Sequence, residues 1–388
     1  MIGRRHVVLW LWCALALGLF AANGRAQDYG AQADRPNIEP FLFRRRVVPS
    51  QKFSKAQLET WQSAASNHRP GEADESSREA ASLSPEDLAD VIAGFEWGTE
   101  ALPGGRDKTD LTRRAVVLHT DIAVTAAAET AQPDQTTVST SASLHFGAAM
   151  ELVNFLKQRL PRGRDDPFIL TWWQAVAAQL GRLHETVSSP HFMVRALSQF
   201  PRDTEILLMA GVQFEFLASP VAQDAQAGWE PAYERKAEEL YREVLKKDPT
   251  VVEARIRLAR VLGQLRRPEQ AAAELDKALD DGAPRSLRFF KYLFLGESRT
   301  ELNRFGPARE AYERALGLYP GAQSAHLGLS RLERRAGNRS GSAAAIERLI
   351  ELPHDAQARE DPWSDYFTAG PAARAADMLE SLRAPLRK

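Results

Sequence analysis

The side chains able to do chemistry in this chain are few and poorly spaced for it. His119-Thr-Asp121 sets an imidazole near a carboxylate, as a general base or a metal site would need, and His145 offers a second imidazole. Residues two apart on a helix project to different faces, so His119 and Asp121 do not converge locally. With His145 they reach a metal only if the tertiary fold gathers them; the other reading is an ordinary surface or helix-contact role. His184-Glu185 does not extend into the His-Glu-x-x-His pattern of a zinc hydrolase. No phosphate-cradling glycine loop or Gly-x-Ser-x-Gly elbow occurs. Gly104-Gly105 reads as a turn, and Asp280-Asp281-Gly282 lacks the rest of a calcium loop. Cys13 is the single cysteine and lies in an apolar run, so the chain beyond it has no thiolate nucleophile, disulfide or Cys-ligated metal. No catalytic, cofactor-binding or metal-binding residue is assigned, no cofactor is expected, and the chain reads as a non-enzyme.

The first residues predict export. Arg4, Arg5 and His6 precede 16 apolar residues, Val7 to Ala22, and Gly24-Arg25-Ala26 supplies a small-x-small site. That is the layout of a secretory signal peptide over 1–26, cleaved after Ala26, and it implies a periplasmic or secreted protein. The run is shorter than the roughly 20 residues of a spanning helix; an uncleaved anchor is the alternative. Residues 1–26 hold three of the 50 Lys+Arg and none of the 51 Asp+Glu, so the remainder carries four more acids than bases. Such a balance argues against a nucleic-acid partner or general binding to anionic membranes.

The elements that must position any site are helical. Residues 27–82 read as a flexible polar arm broken by Pro36, Pro40, Pro49 and Pro70-Gly71, with a weak helix over Ser54–Ser66. Within it, Phe41-Leu-Phe43-Arg-Arg-Arg46 has two readings: a docking segment, or a strand of arm covering apolar surface. Residues 83–166 form a helical cap region. Ser84-Pro85-Glu86 opens a helix to about Phe95. Leu111, Ala115, Leu118 and Ile122 mark a second helix, and Leu144, Ala148, Leu152 and Phe155 a third.

From 167 to 353 one block recurs. Ala308, Tyr312, Ala315 and Pro320 repeat as Ala237, Tyr241, Val244 and Pro249, and as Ala271, Leu275, Ala278 and Pro284. Ser188, Phe192, Ala196 and Pro201 begin the series, and Ser342, Ile346, Leu349 and Pro353 end it. A small residue allows close helix approach, a bulky one fills the groove, and proline stops the second helix. The preceding helices fit alongside, with Leu207, Ala210 and Gly211, then Leu258, Ala259 and Leu262, then Tyr292, Leu295 and Gly296. A unit of this length cannot bury its own face and must stack on its neighbours.

This pattern resembles the tetratricopeptide repeat family over about Pro167 to Pro353. The resemblance implies an all-α fold: a right-handed α-solenoid of about five stacked helix-turn-helix hairpins with capping helices. Extra residues at 219–231 swell the second hairpin, and Arg255 and His326 stand where the family has aromatic or apolar residues. Residues 354–388 form a C-terminal capping segment. Its helix, from Gly370-Pro371 to about Leu382, is expected to cover the open end of the stack with Met378, Leu379 and Leu382, leaving Arg374, Glu380, Arg383 and Arg387 in water.

In the resembling family the first helix of each hairpin lines the concave groove. That places Arg257, Arg260 and Gln264 on one groove face, followed by Phe290 and Glu297, then Arg331, Arg334 and Arg335. Arginines beside an exposed aromatic suit an acidic or C-terminal peptide partner. The other reading pairs these arginines with Glu253, Glu297 and Glu333 as a solvated face. No asparagine matches the family's carboxylate clamp. The expected function is a scaffold or assembly factor of a bacterial envelope; the alternatives are an accessory subunit of an envelope enzyme and a membrane-tethered adaptor.

Overall fold

The computed structural model describes residues 63–71, 108–130, 140–182, 189–219, 232–352, 359–367 and 369–387, all within one compact unit spanning 47–388. The expected signal segment, the Phe41–Arg46 segment, the helix at Ser84–Phe95, His184-Glu185 and residues 220–231 of the insertion lie outside the described residues.

Every regular element described is helical. The helices are α1 (Lys108–Thr130), α2 (Thr140–Arg159), α3 (Pro167–Arg182), α4 (Ser189–Gln199), α5 (Thr204–Leu217), α6 (Ala232–Lys247) and α7 (Val252–Gln264). They continue as α8 (Pro268–Lys277), α9 (Arg285–Glu301), α10 (Phe305–Leu318), α11 (Gln323–Arg335), α12 (Arg339–Glu351) and α13 (Ala369–Arg383). Helices α1 and α2 pack as a hairpin, and α3 to α12 form five more pairs in succession. First helices α5, α7, α9 and α11 each also touch the first helix before them, so they line one face of a stack.

The recurring side chains do the packing expected of them. Ala237, Ala271 and Ala308, with Tyr241, Leu275 and Tyr312, are fully or almost fully buried. The two tyrosines pack on glycines of the first helices. A Cβ on Gly296 would fall 2.8 Å from the Tyr312 ring, and Cβ atoms on Gly211 and Gly328 would meet Tyr241 and Tyr312 closer still. Each tyrosine therefore lies flat against bare backbone, which sets how tightly the helices approach.

The hairpin turns repeat as well. Arg266, Asn303 and Gly337 all have positive φ, between 57° and 81°. The next residue's N–H returns to the helix five residues back: Arg267 to Leu262, Arg304 to Arg299, Asn338 to Glu333. This is the Schellman closure, made three times at the same step of the repeat. The two off-pattern residues are accommodated too: Arg255 pairs with Glu274 at 2.7 Å, and buried His326 bonds the Pro320 carbonyl at 2.9 Å. One unit departs from expectation. Helix α8 ends at Lys277, well before Pro284, so Pro284 serves to open α9 rather than to stop α8.

The C-terminal helix is not where the sequence suggested. Its main neighbour is α3, near the start of the stack, against which Ala375, Leu379 and Leu382 are buried. In the last pair, Ile350 of α12 is left 67% exposed. Of the flanking charges, Glu380 and Arg387 are exposed as expected, whereas Arg374 and Arg383 are partly buried in ion pairs. Arg374 pairs with Glu205 and Glu253, Arg383 with Asp121, and Arg387 with Glu380.

Candidate partner-binding groove

To reach α3 the chain retraces the groove. Residues 361–367 cross the first helices in reverse order, anchored at each. At α11, the Asp361 carboxylate accepts from Ser324 N at 2.7 Å and Ser324 Oγ at 3.0 Å. It thus caps a helix whose own N-cap residue, Ala322, has no side chain to do so. At α9, Trp363 and Tyr366 meet Phe294 edge-on with centroids 6.0 and 5.7 Å apart, and Tyr366 meets Phe290 at 4.9 Å. At α5, Phe367 packs against Phe216 at 5.4 Å.

Under Tyr366 lies a charged floor. Glu215 on α5 is fully buried and accepts four bonds: from Tyr241 at 2.6 Å, Arg257 at 3.3 Å, Arg260 at 2.6 Å and Tyr366 at 2.8 Å. Arg257, on α7, also donates to Glu253 at 2.8 Å and to the main-chain carbonyl of Tyr366 at 2.9 Å. The Arg260 guanidinium sits 4.7 Å from the Tyr366 ring centre, 5.1 Å from Trp363 and 5.2 Å from Phe367. Its cation is thus held in a three-sided aromatic cage.

Arg374 closes the network against Glu205 and Glu253. Three arginines therefore face three carboxylates, the balance that buried charges require. Burial pushes the Glu253 carboxyl up, but Arg257 and Arg374 outweigh it and hold it at about 2. Burial raises Glu205, and burial together with Glu215 raises the phenols of Tyr241 and Tyr366. Burial alone would lower Arg257, but Tyr366, Glu253 and Glu215 among its neighbours keep it well above its ordinary value.

The residues expected to line the groove fall into two sets. Arg257, Arg260 and Phe290 meet around Tyr366. Phe290, expected to present an exposed ring, is buried beneath that residue. Gln264 is half-buried at the end of α7. Glu297, Arg331, Arg334 and Arg335 are exposed and do not touch the segment; Arg335 pairs with Glu301 at 3.0 Å. Arg331 and Arg334 make no ion pair among the described residues. Glu253 does pair with Arg257, whereas Glu333 pairs with Arg309.

Sequence reasoning missed Glu215 and the position of Trp363, Tyr366 and Phe367. Glu215 carried a usable signal, since it is the single charge in the apolar run Ile206–Leu217 and such a charge needs partners.

The histidines do not make a metal site. His119 and His145 are buried and meet through Nδ1 atoms 2.9 Å apart, one ring donating and the other accepting. Asp121 points elsewhere, to His68 Nε2 and Gly71 N, both at 2.8 Å, and to Arg383 at 2.6 Å. Among the described residues no group of three or more His, Cys, Asp or Glu is arranged to hold a metal ion. No described helix is long and apolar enough to cross a membrane.

With stack and groove in place, comparison with known families is direct. Residues 235–287 and 295–359 each match a family model described as a tetratricopeptide repeat. These segments are tetratricopeptide repeats. They span the best-formed part of the stack, from α6 to beyond α12. Among solved structures, the repeat protein is similar to PilW, described as a widely conserved type IV pilus biogenesis factor. The two are 21% identical over 54% of this chain and 92% of PilW, with a TM-score of 0.39. It is also similar to MamA (residues 41 to the end) from Desulfovibrio magneticus RS-1, 18% identical over 47% of this chain and 93% of MamA, TM-score 0.39. A further MamA structure is 17% identical over 46% and 91%, TM-score 0.37. No curated protein sequence matches.

Proposed function

We propose that this protein binds another protein without turnover, as a scaffold or assembly factor, and that the groove of first helices is where it does so. One observation carries the reading: the groove already receives a short stretch of polypeptide, residues 361–367 with a single 3-10 turn at Pro362–Asp365, through main-chain, aromatic and charged contacts at once. A surface that holds one peptide this way has the chemistry to hold another.

The part of the first-helix face not covered by that stretch carries Glu297, Arg331, Arg334 and Arg335. With two arginines outside any described ion pair, it suits an acidic segment of the partner. The N-terminal pattern over residues 1–26 supports work outside the cytoplasm, with the periplasm or the medium as the place; sequencing the N-terminus of the exported protein should then read from Gln27.

The test is co-purification from the native source with wild type and with Arg331→Glu/Arg334→Glu, both checked for helicity by circular dichroism. A specific partner should be lost from the variant. A partner list that does not change removes this face from the binding site.

A further inference from the structure

We infer that residues 361–367 are an internal competitor: a latch that occupies the groove until a partner carrying a similar aromatic segment replaces it. The inference rests on the groove reading above and deepens it by naming the ligand chemistry. The partner segment makes one helical turn, as Pro362–Asp365 does, with two aromatic residues three apart and stacked on one side, as Trp363 and Tyr366 are with centroids 5.3 Å apart. The second bears a hydroxyl for Glu215, and its main-chain carbonyl takes the Arg257 guanidinium.

Three features separate a latch from a piece of core. First, the floor is complete without it. Arg257 bonds Glu253 and Glu215, Arg260 and Tyr241 bond Glu215, and Phe290 stacks on Phe294 with centroids 6.0 Å apart, none of which involves the segment. An emptied groove keeps its charges paired and its shape organised, as a binding site must.

Second, the segment lies over the floor with one side in solvent. Trp363 keeps 39% of its surface exposed, and Ser364 and Asp365 are exposed. Third, the chain beyond it has its own anchor. Helix α13 buries Ala375, Leu379 and Leu382 and pairs Arg383 with Asp121, so the segment can leave while the C-terminus stays docked. A tethered latch competes at an effective concentration on the order of millimolar. It therefore suppresses weak ligands and admits only those that match its contacts.

The probe is a fluorescent peptide of residues 359–367, titrated by anisotropy into full-length chains. Wild type should bind it poorly. Trp363→Ala/Tyr366→Ala/Phe367→Ala should bind it at least about tenfold tighter, because the tethered competitor is gone. Adding Arg260→Met to that variant should reverse the gain. Tyr366→Phe keeps the ring and loses only the bond to Glu215; it should give a smaller gain, about tenfold at most.

A folded triple variant that binds no better than wild type overturns the latch. So does a triple variant that fails to fold while Tyr366→Phe leaves peptide binding unchanged, since the segment is then core. Light scattering that shows wild type and triple variant forming a mixed dimer makes a second copy the occupant and overturns the separate partner. Peptide binding that fails while Arg331→Glu/Arg334→Glu still loses its partner sinks the latch alone. The reverse result sinks the uncovered face alone.

Discussion

The hydroxyl of Tyr366 donates to Glu215 Oε1 across 2.8 Å, joining residues 151 apart in the chain. That bond ties the last aromatic segment to the second hairpin of the stack. It also completes the four-donor shell of a carboxylate with no access to water. The repeat builds the groove; this pair decides what lies in it.

Breaking the pair should cost stability in a way that depends on which side is cut. Tyr366→Phe removes one charged hydrogen bond and should cost about 1.5–3 kcal/mol. Glu215→Ala leaves Arg257 and Arg260 without their shared anion and should cost about 3–5 kcal/mol. Urea unfolding of both single variants and the double variant gives the coupling. The double variant should be clearly less destabilised than the sum, and strict additivity would deny the contact.

How much of this was legible follows from where each contact is made. Tyr241 with Ala237, and Tyr312 with Ala308, sit at fixed spacing because each hairpin must bury the same face. Such short-range order can be read directly from the chain. The spacing of Arg257 and Arg260 likewise put both on one face, and both lie against Glu215. Their occupant was not legible. Trp363, Tyr366 and Phe367 showed as an aromatic cluster in polar sequence, but nothing local tells such a cluster which surface it will meet. Helix α13 had an apolar stripe, but nothing local to say which surface of the stack would receive it. Its docking on α3, where Arg383 also reaches Asp121, is a property of the assembled stack.

The turn at Arg266 offers a stabilising change. Its φ of 61° places a side chain in the left-handed region, at the step where the third of these turns uses Gly337. A side chain there costs about 1 kcal/mol relative to glycine. Arg266→Gly should therefore raise stability by up to about 1 kcal/mol, seen as a higher thermal midpoint. A lower midpoint would mean that the Arg266 side chain makes compensating contacts.

Acid should weaken the fold in two overlapping windows. Burial lowers His119 well below its ordinary 6.5, with His145 and His68 adding to the effect, and burial lowers His145 to about 4. Both stay neutral in the fold while the unfolded chain takes up protons. Their contribution is full above pH 6.5 and declines as pH falls below it, the His145 share being lost by about pH 4. Glu253, held at about 2 against an ordinary 4.5, gives up its contribution only between 4.5 and 2. Chemical unfolding at a series of pH values should show the first loss in wild type. That loss should be flattened in His119→Gln/His145→Gln, whose stability above pH 7 serves as the baseline. An equal slope in both chains between pH 6.5 and 4.5 would remove the histidine pair as its source.

The last prediction uses two glycines as mutual controls. Gly328 faces the ring of Tyr312 so closely that any Cβ collides, whereas a Cβ on Gly263 meets nothing within 4 Å. Both lie within first helices, where alanine is the better helix former by about 1 kcal/mol. Gly263→Ala should accordingly gain roughly 0.5–1 kcal/mol. In Gly328→Ala the same backbone gain is opposed by forcing Tyr312 off the α9–α11 seam, and overpacking of a buried site costs about 1–3 kcal/mol. The net should be destabilising. Displacement of the Tyr312 ring should also loosen α11 against α9, since that ring fills the seam between them. Hydrogen exchange over 323–335 should therefore rise in Gly328→Ala and stay unchanged in Gly263→Ala. Equal stabilities for the two variants would show that the tyrosine does not set the helix spacing.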